Sequence, residues 1–471
     1  MSDTRLSRLS WTQIIALSAP AMVLAAYQIS MSVFAPAFLV EHVGLPLATI
    51  SGIMLLARLW DMVNDPIVGV LTDATSTPIG RRRPWILCGA PIALLGTWQF
   101  YFATPGTDST AILWWMIVLN TGWTMVTVAH GAWGVEVSKD YDERSRIFGF
   151  KMLAVAAALP IISLGPAILE RTIGATAAQQ MHLMGFVVLI VLPLSIAWLV
   201  WKTPEASLPR GRLNLAAFIE SFTIVFTRKS FAIISAAYLF VGLADAVSST
   251  IYLFLVRDGL GLPGWAATFL VVQAVFGFIS IPTWYAVSRR TDKRSALLIV
   301  FGLQVLIAPI LLILPAGNVA AFVGFTMAKG LIWGAEYMLL RAIVSDLVDE
   351  DAARTGAHRA GVFYSSFNLT IGLAGALGGA GALWLLAQIG FDPRASAIDR
   401  AAHAGALRWI AAATPFLCTA AGFALIAHFD GRRVKPVPAG ADDALNAATL
   451  AEPSALVRQA PPSERDMRIA E

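Results

Sequence analysis

The chain alternates long apolar runs with short polar interruptions. Twelve runs are long enough to cross a bilayer as helices, which takes about 20 residues each. They fall near 11–40, 47–72, 84–104, 110–138, 147–171, 181–202, 230–258, 263–288, 294–317, 318–348, 358–390 and 405–428. Two interruptions are longer than the rest. Residues 203–229 place Arg210, Arg212, Arg228 and Lys229 around an apolar stretch, 213–226, that can lie along a membrane surface. From Gly431 onward the chain holds no Phe, Trp or Tyr and is rich in Ala, Pro and charge, as expected of a disordered tail. The pattern predicts a cytoplasmic N-terminus at 1–10, a six-helix bundle at 11–202, a cytoplasmic linker at 203–229, a second six-helix bundle at 230–428 and a cytoplasmic tail at 429–471.

Composition turns that pattern into a class. Of 471 residues, 57% are hydrophobic and 14% are charged, against about 25% charged in a soluble domain. Mean hydropathy is +0.69. A water-soluble globule of this length has too little charge here to cover its surface. The reading is an all-α membrane protein whose outside is covered by lipid. The net charge of +4 does not point to nucleic acid, because the basic residues sit in short clusters between apolar runs. Cys88 and Cys418 lie far apart inside apolar runs, with no disulfide framework or metal-ligand spacing. The first apolar run is too long for a signal-peptide core and reads as a retained first span.

Lysine and arginine set the orientation. With the N-terminus in the cytoplasm, only Arg171, Arg257, Arg394, Arg400 and Arg408 of the 34 basic residues fall on the outer side. Four more lie within spans, and the others fall on the inner side, which supports an even number of spans with both termini cytoplasmic, in a cell (inner) membrane. Six spans, a basic linker and six spans predict two pseudo-symmetric halves with a site between them.

Eight charged residues stand inside spans: Arg58, Lys151, Lys329 and Arg341 against Asp61, Asp65, Asp245 and Glu336. Each opposes insertion by about 2.5–3.5 kcal/mol, roughly 20 kcal/mol in all as an upper figure. Equal numbers of each sign suggest partners across a polar cavity; the plainer alternative is pairs that only lock helices together. Arg58, Asp61 and Asp65 share one face of span two, with Asn64 one position round. Two carboxylates one turn apart plus an amide oxygen form a hard-oxygen cage for a monovalent cation, with Na⁺ a candidate at Asp61 and Asp65 and H⁺ the alternative. Thr127 in span four is either a further oxygen ligand or a back-bond to its own helix. His130 is either a substrate or proton-handling group or a satisfied helix–helix contact. In span ten Lys329, Trp333, Tyr337 and Arg341 recur every four residues beside Glu336, a polar and aromatic stripe suited to a ligand with hydroxyls and an apolar ring face. Trp133, Tyr27 and Gln28 have similar chemistry, although tryptophan and tyrosine also simply line bilayer interfaces. Gly375 and Gly379 read as a packing face in span eleven. Substrate-site candidates are therefore Tyr27, Gln28, His130, Trp133, Lys151, Asp245, Trp333, Glu336, Tyr337 and Arg341.

Arg58 to Asp65, then Pro66, Gly69, Asp73 and the run Gly80-Arg81-Arg82-Arg83-Pro84, resemble the second-span and 2–3 loop signature of the glycoside–pentoside–hexuronide cation symporters, the melibiose permease-like family of the major facilitator superfamily. The stretch Trp133 to Arg144 and the 10–11 loop stretch Ser345 to Gly361 agree with it. The resemblance covers spans one to eleven. It implies the major facilitator fold of two pseudo-symmetric six-helix bundles. It also implies cation coordination by Asp61, Asn64 and Asp65, sugar stacking by Trp133, and Lys151 in the place of a span-five arginine facing the site. Tyr337 stands near a span-ten tryptophan of that family. The Lys-Asp pair of melibiose permease in span one is absent, with Ala26-Tyr27-Gln28 around that place, and Ala129 beside His130 replaces its span-four aspartate. Galactoside specificity is therefore not implied. Apart from the family, Asp73, Gly80, Arg81, Arg82 and Arg83 read as an inner-surface contact that breaks on inward opening, or as arginines that only enforce topology.

The expected function is cation-coupled symport of a sugar or glycoside by alternating access, with no cofactor beyond the coupling Na⁺ or H⁺ and no partner chain required by the fold. The alternative is a transporter of the same fold for an amphipathic or anionic ligand, such as a lysolipid or an efflux substrate. A membrane enzyme is disfavoured, because no serine–lysine or cysteine–histidine pairing and no metal-ligand spacing stands out.

Overall fold

A computed structural model describes residues 9–138, 141–205, 227–355 and 360–429. The segments 1–8, 206–226 and 430–471, which hold most of the expected N-terminus, linker and tail, lie outside the described residues, as do 139–140 and 356–359.

Helices run through the chain in the order the apolar pattern predicts. In the first half they are α1 (Trp11–Val43), α2 (Leu47–Ala74), α3 (Arg83–Tyr101), α4 (Ser109–Glu136), α5 (Tyr141–Ile173) and α6 (Ala177–Lys202). In the second half they are α7 (Lys229–Phe254), α8 (Ala266–Arg290), α9 (Lys293–Ile307), α10 in two pieces (Val319–Ile332 and Ala335–Thr355), α11 (Ala360–Gln388) and α12 (Ala404–Ala427). Several of their starts carry side-chain N-caps. Ser10 and Gln13 form a capping box at α1, Thr176 and Gln179 another at α6, and Asp108, Asp292 and Asn318 cap α4, α9 and α10. Among the described residues nine helices are long and apolar enough on composition alone to cross a membrane. The other three of the twelve are α2, α3 and α10. Arg58, Asp61, Asp65 and Asp73 lower the hydropathy of α2, α3 is short and starts on Arg83, and α10 is interrupted. Large apolar side chains on the outside are bare, among them Trp201, Leu194, Ile313 and Leu306. That is the surface of a protein solvated by lipid.

The pairing of helices carries the symmetry. In the first half α1 packs on α5 and α6, α2 on α4, and α3 on α4; in the second α7 packs on α11 and α12, α8 on α10, and α9 on α12. The halves meet through α2 against α11 and α5 against α8. Advancing each helix by six places converts one of these contacts into the other, so a pseudo-two-fold axis runs between the halves. Close approach depends on glycine. A Cβ on Gly122 would stand 2.2 Å from the Ala93 backbone nitrogen, and one on Gly96 2.5 Å from the Leu119 Cα, so α3 and α4 touch backbone to backbone. In α11 the packing glycines are Gly378 and Gly379, which face Ala246 and Thr250 of α7. Gly375, read above as part of that face, has open space around its Cβ position.

A second departure concerns span ten. The sequence pattern reads 318–348 as one continuous helix, but the backbone leaves the helix at Trp333 (φ −64°, ψ 134°) and turns at Gly334 (φ +84°). Only glycine adopts that φ without strain. The break lets the Trp333 ring lie over Gly277 of α8, where a Cβ would come within 3.0 Å of it.

Several polar contacts between the halves gather at the end away from the linker. Glu170 at the end of α5 accepts hydrogen bonds from the first backbone N–H groups of α8, Ala266 (3.0 Å), Ala267 (2.8 Å) and Thr268 (3.3 Å). A carboxylate there meets the positive end of the α8 dipole. Arg171 lies over the Trp265 ring at 3.9 Å and donates to the Gly264 carbonyl. Arg257 pairs with Glu41 at 2.5 Å, Arg394 donates to the Gly44 carbonyl, and Ser51 to the Ala380 carbonyl at 2.7 Å.

Candidate functional site

Asp61 and Asp65 sit on α2, one helical turn apart, facing α4. The Arg58 guanidinium lies 3.6 Å from Asp61 Oδ2, and the Asn120 side-chain amide of α4 donates to the same oxygen at 3.2 Å. Asn120 in turn accepts from the Tyr27 hydroxyl at 2.5 Å, and the Tyr27 ring stacks on Trp123 with centroids 4.7 Å apart. Thr124, one turn from Asn120, donates to Asp65 Oδ1 at 2.8 Å. Two acids from α2, an amide and a hydroxyl from α4, and a phenol from α1 thus converge. The other oxygen of Asp61, Oδ1, is buried with no hydrogen-bond donor among the described residues, and the buried Asn64 side-chain nitrogen has no acceptor among them. A carboxylate oxygen without a donor has lone pairs free for a small cation.

Several sequence expectations are relocated. Thr127 bonds back to the Thr124 carbonyl of its own helix at 3.4 Å, and the hydroxyl that reaches the acid pair is that of Thr124. One turn of α4 separates the two, and the sequence spacing cannot tell them apart. Gln28 is exposed beside Tyr27. His130 Nε2 donates to the Leu17 carbonyl of α1 at 2.7 Å, and the Lys151 ammonium donates to Nδ1 at 3.4 Å. A carbonyl can only accept and an ammonium can only donate, so this is the neutral tautomer with its hydrogen on Nε2. The pair bridges α1, α4 and α5. Trp133 is fully buried at the linker end, its indole donating to the Pro204 carbonyl at 3.0 Å and its ring under Arg83 at 5.5 Å. No face of it is open to a sugar in this conformation, because the start of the linker occupies the space.

The second half holds its own polar group. The Tyr337 hydroxyl donates to Asp245 Oδ2 at 3.3 Å, and Lys329 interacts electrostatically with both Asp245 and Glu336. Trp333, placed off the helix axis by the Gly334 turn, also reaches Asp245. Arg341 is exposed and lies 3.4 Å from the Tyr238 hydroxyl, whose ring stacks on Phe367. The four-residue stripe of the sequence therefore splits, with Lys329, Trp333 and Tyr337 at Asp245 and Arg341 apart from them. The charge count suggested partners across a polar cavity, and among the described residues the opposite charges do stand together. Arg58 pairs with Asp61, and Lys329 stands with Asp245, each within one half.

The 2–3 loop forms one network. Arg82 bonds Asp73 at 2.6 Å and Glu136 at 2.5 and 3.1 Å, and Arg81 donates to the Asp73 backbone carbonyl. Glu205, a residue the sequence reading passed over, accepts from the backbone N–H groups of both Arg81 and Arg82 at 2.5 Å. Gly80 has φ +121°, and a Cβ there would lie 2.0 Å from the Glu205 carboxylate. Asp73, Gly80 and the three arginines thus tie α2, α3, α4 and the start of the linker together.

Comparison with known proteins agrees with this architecture. Residues 16–430 match the family described as MFS/sugar transport protein. YagG of Escherichia coli, a candidate glycoside/cation symporter, is 24% identical over 368 residues, covering 76% of this chain and 79% of the relative. Sodium-dependent lysophosphatidylcholine symporter 1 of Xenopus tropicalis is 21% identical over 370 residues, covering 69% and 70%. Among solved structures, a bacterial homologue of the human lysosomal transporter Spinster, in an inward-facing and unoccupied conformation, superposes with a TM-score of 0.64 at 14% identity, covering 93% of this chain and all of that one. At that identity the likeness is one of fold. The family match spans nearly the whole described chain, and the span-two motif carries the same affiliation: the chain belongs to the MFS/sugar transport protein family, the multi-pass membrane transporters of the major facilitator superfamily.

Proposed function

We propose that this transporter is a symporter that couples a monovalent cation, Na⁺ or H⁺, to the movement of a sugar or glycoside by alternating access. The observation that carries the reading is the acid pair of α2. Asp61 and Asp65 lie one turn apart, and Asp61 keeps a buried oxygen that no donor among the described residues satisfies. A pair of carboxylates inside a membrane is costly unless something positive visits it. Asn120, Thr124 and Asn64 supply neutral oxygens to complete the coordination, as Na⁺ prefers. With the termini in the cytoplasm, the end where Glu170, Arg171, Arg257 and Ser51 join the halves is the outer one. Cation binding neutralises the pair and frees Arg58 from Asp61, and the half-buried Tyr27 ring next to Asn120 offers an aromatic face to a sugar ring. The test is uptake into proteoliposomes with a panel of small sugars, under separately imposed Na⁺ and pH gradients. Accumulation driven by one gradient supports the reading, and accumulation indifferent to both contradicts it.

The lysophosphatidylcholine symporter among the relatives favours a second reading, in which the cargo is amphipathic or anionic. Exposed Arg341 and the Lys151 ammonium would then meet a negative headgroup. Thermal stabilisation of the purified protein by lysolipids but not by sugars selects this reading.

A further inference from the structure

The second half contains a group of charges that cation coupling through Asp61 and Asp65 does not use. Asp245 of α7, Lys329 of α10 and Glu336 just past the Gly334 turn interact with one another, and the second piece of α10 packs on α7. Two acids face one base. Glu336 is only 9% exposed, and it accepts no hydrogen bond and has no base at ion-pair distance among the described residues. Lys329 and Asp245 line a cavity inside the second bundle with Ser248, Ser249, Gln273 and Gln304. Its walls come from α7, α8, α9, α10 and α12, with Val33 of α1 contributing from the other half, so it lies apart from the α2–α4 acid pair.

The groups facing the triad are few. From α7 come Tyr238 and Asp245, and from α10 Lys329, Trp333, Glu336 and Tyr337. The cavity-lining residues of α8, α9 and α12 include Gln273, Gln304, Ala411 and Pro415, which carry no charge, and α11 presents the apolar Phe367 to Tyr238. The ammonium therefore offsets one carboxylate and leaves the other over. An uncompensated charge at this depth costs several kcal/mol. One proton on the carboxyl pair restores neutrality, and the polar cavity offers it a route.

We propose that Asp245, Lys329 and Glu336 form a proton-binding site in the second half, separate from the cation site of α2, which gains and releases one proton as the transporter works. Protonation converts one carboxylate to its acid and leaves a neutral triad; release restores the surplus negative charge when the cavity opens to water. The site gives the transporter a proton to move together with, or exchange against, its other cargo. It stands whether or not Asp61 and Asp65 take a cation.

Infrared difference spectra of the purified full-length protein in lipid, recorded between acidic and alkaline pH, read the carbonyl stretch of a protonated carboxyl group directly. The expected result is a buried-carboxyl band in the wild type that is lost in Glu336→Gln or Asp245→Asn, persists in Asp61→Asn and does not respond to added NaCl. Lys329→Met removes the compensating ammonium and is expected to double the band. Thermal unfolding of each variant identifies those that fold, and the folded ones carry the test. A spectrum unchanged in both Glu336→Gln and Asp245→Asn overturns the proposal, as does one whose whole carboxyl signal disappears with Asp61→Asn or on adding NaCl.

Discussion

Arg58 comes within 3.6 Å of the Asp61 carboxylate but leaves Asp65 to a neutral hydroxyl, that of Thr124 at 2.8 Å. The two acids are therefore not equivalent. Asp61 is offset by an arginine that is itself 41% exposed, and such a partly solvated pair is weak enough to exchange for a cation. Replacing Arg58 by Gln is expected to remove this competitor and tighten cation binding about tenfold, or about 1.4 kcal/mol. Cation-induced stabilisation of the purified variant measures it, and weaker binding would show that Arg58 helps hold the cation.

Thr124 and Thr127 have separable roles. Thr124→Val removes the hydroxyl on Asp65, a hydrogen bond to a charged group worth about 1.5–3 kcal/mol. It is expected to weaken cation binding by one to two orders of magnitude. Thr127→Val removes only a back-bond within α4 and is expected to change binding by less than about threefold. Equal effects of the two variants would contradict this assignment.

The 2–3 loop turns on Gly80. An alanine there is strained by φ +121° and collides with Glu205, which the Arg81 and Arg82 amides hold in place. Gly80→Ala is expected to destabilise this arrangement of the 2–3 loop by about 1–3 kcal/mol. Adding Glu205→Ala relieves the collision but not the backbone strain, so the double variant should recover only part of the loss. Thermal unfolding of the three variants separates the two contributions.

Between α3 and α4 the backbones leave no room for a methyl group at Gly122. Gly122→Ala is expected to lower stability by about 1–3 kcal/mol, while Gly375→Ala in α11, where the space is open, is expected to be nearly neutral. Melting temperatures of the two variants decide it.

Asp292 caps α9 outside the membrane, accepting from the Ser295 backbone N–H at 2.8 Å and its hydroxyl at 2.6 Å. Burial pushes the carboxyl up, but the hydrogen bonds outweigh it and hold it below the usual carboxylate range. The folded form thus binds the proton less readily than the unfolded one. The stabilisation is complete above the ordinary carboxylate value and fades as pH falls through the lowered one. Asp292→Ala is expected to cost about 1 kcal/mol near neutral pH, with the difference from wild type shrinking in acid.

Twelve spans and the acid pair of α2 are legible in the sequence for one physical reason. Charges in an apolar run are expensive, so Asp61 and Asp65 stand out against their surroundings. Asn120 and Glu205 do not stand out. A neutral amide in a span has many innocuous uses, and a glutamate at the start of a linker looks like ordinary surface until Arg81 and Arg82 are seen to close over it. The α10 break is hidden for a different reason. Gly334 marks a turn only once Trp333 has a place to go, and that place, over Gly277 of α8, is set by tertiary packing. Trp133 misleads in the opposite direction, since its burial under Pro204 and Arg83 depends on where the linker runs.

The central claim is that Asp61 binds and releases the coupling cation. Its most direct test is substrate accumulation in proteoliposomes carrying Asp61→Asn, under whichever cation gradient drives the wild type. The account predicts a correctly inserted protein that no longer accumulates substrate against its gradient. Normal gradient-driven accumulation by this variant would contradict it.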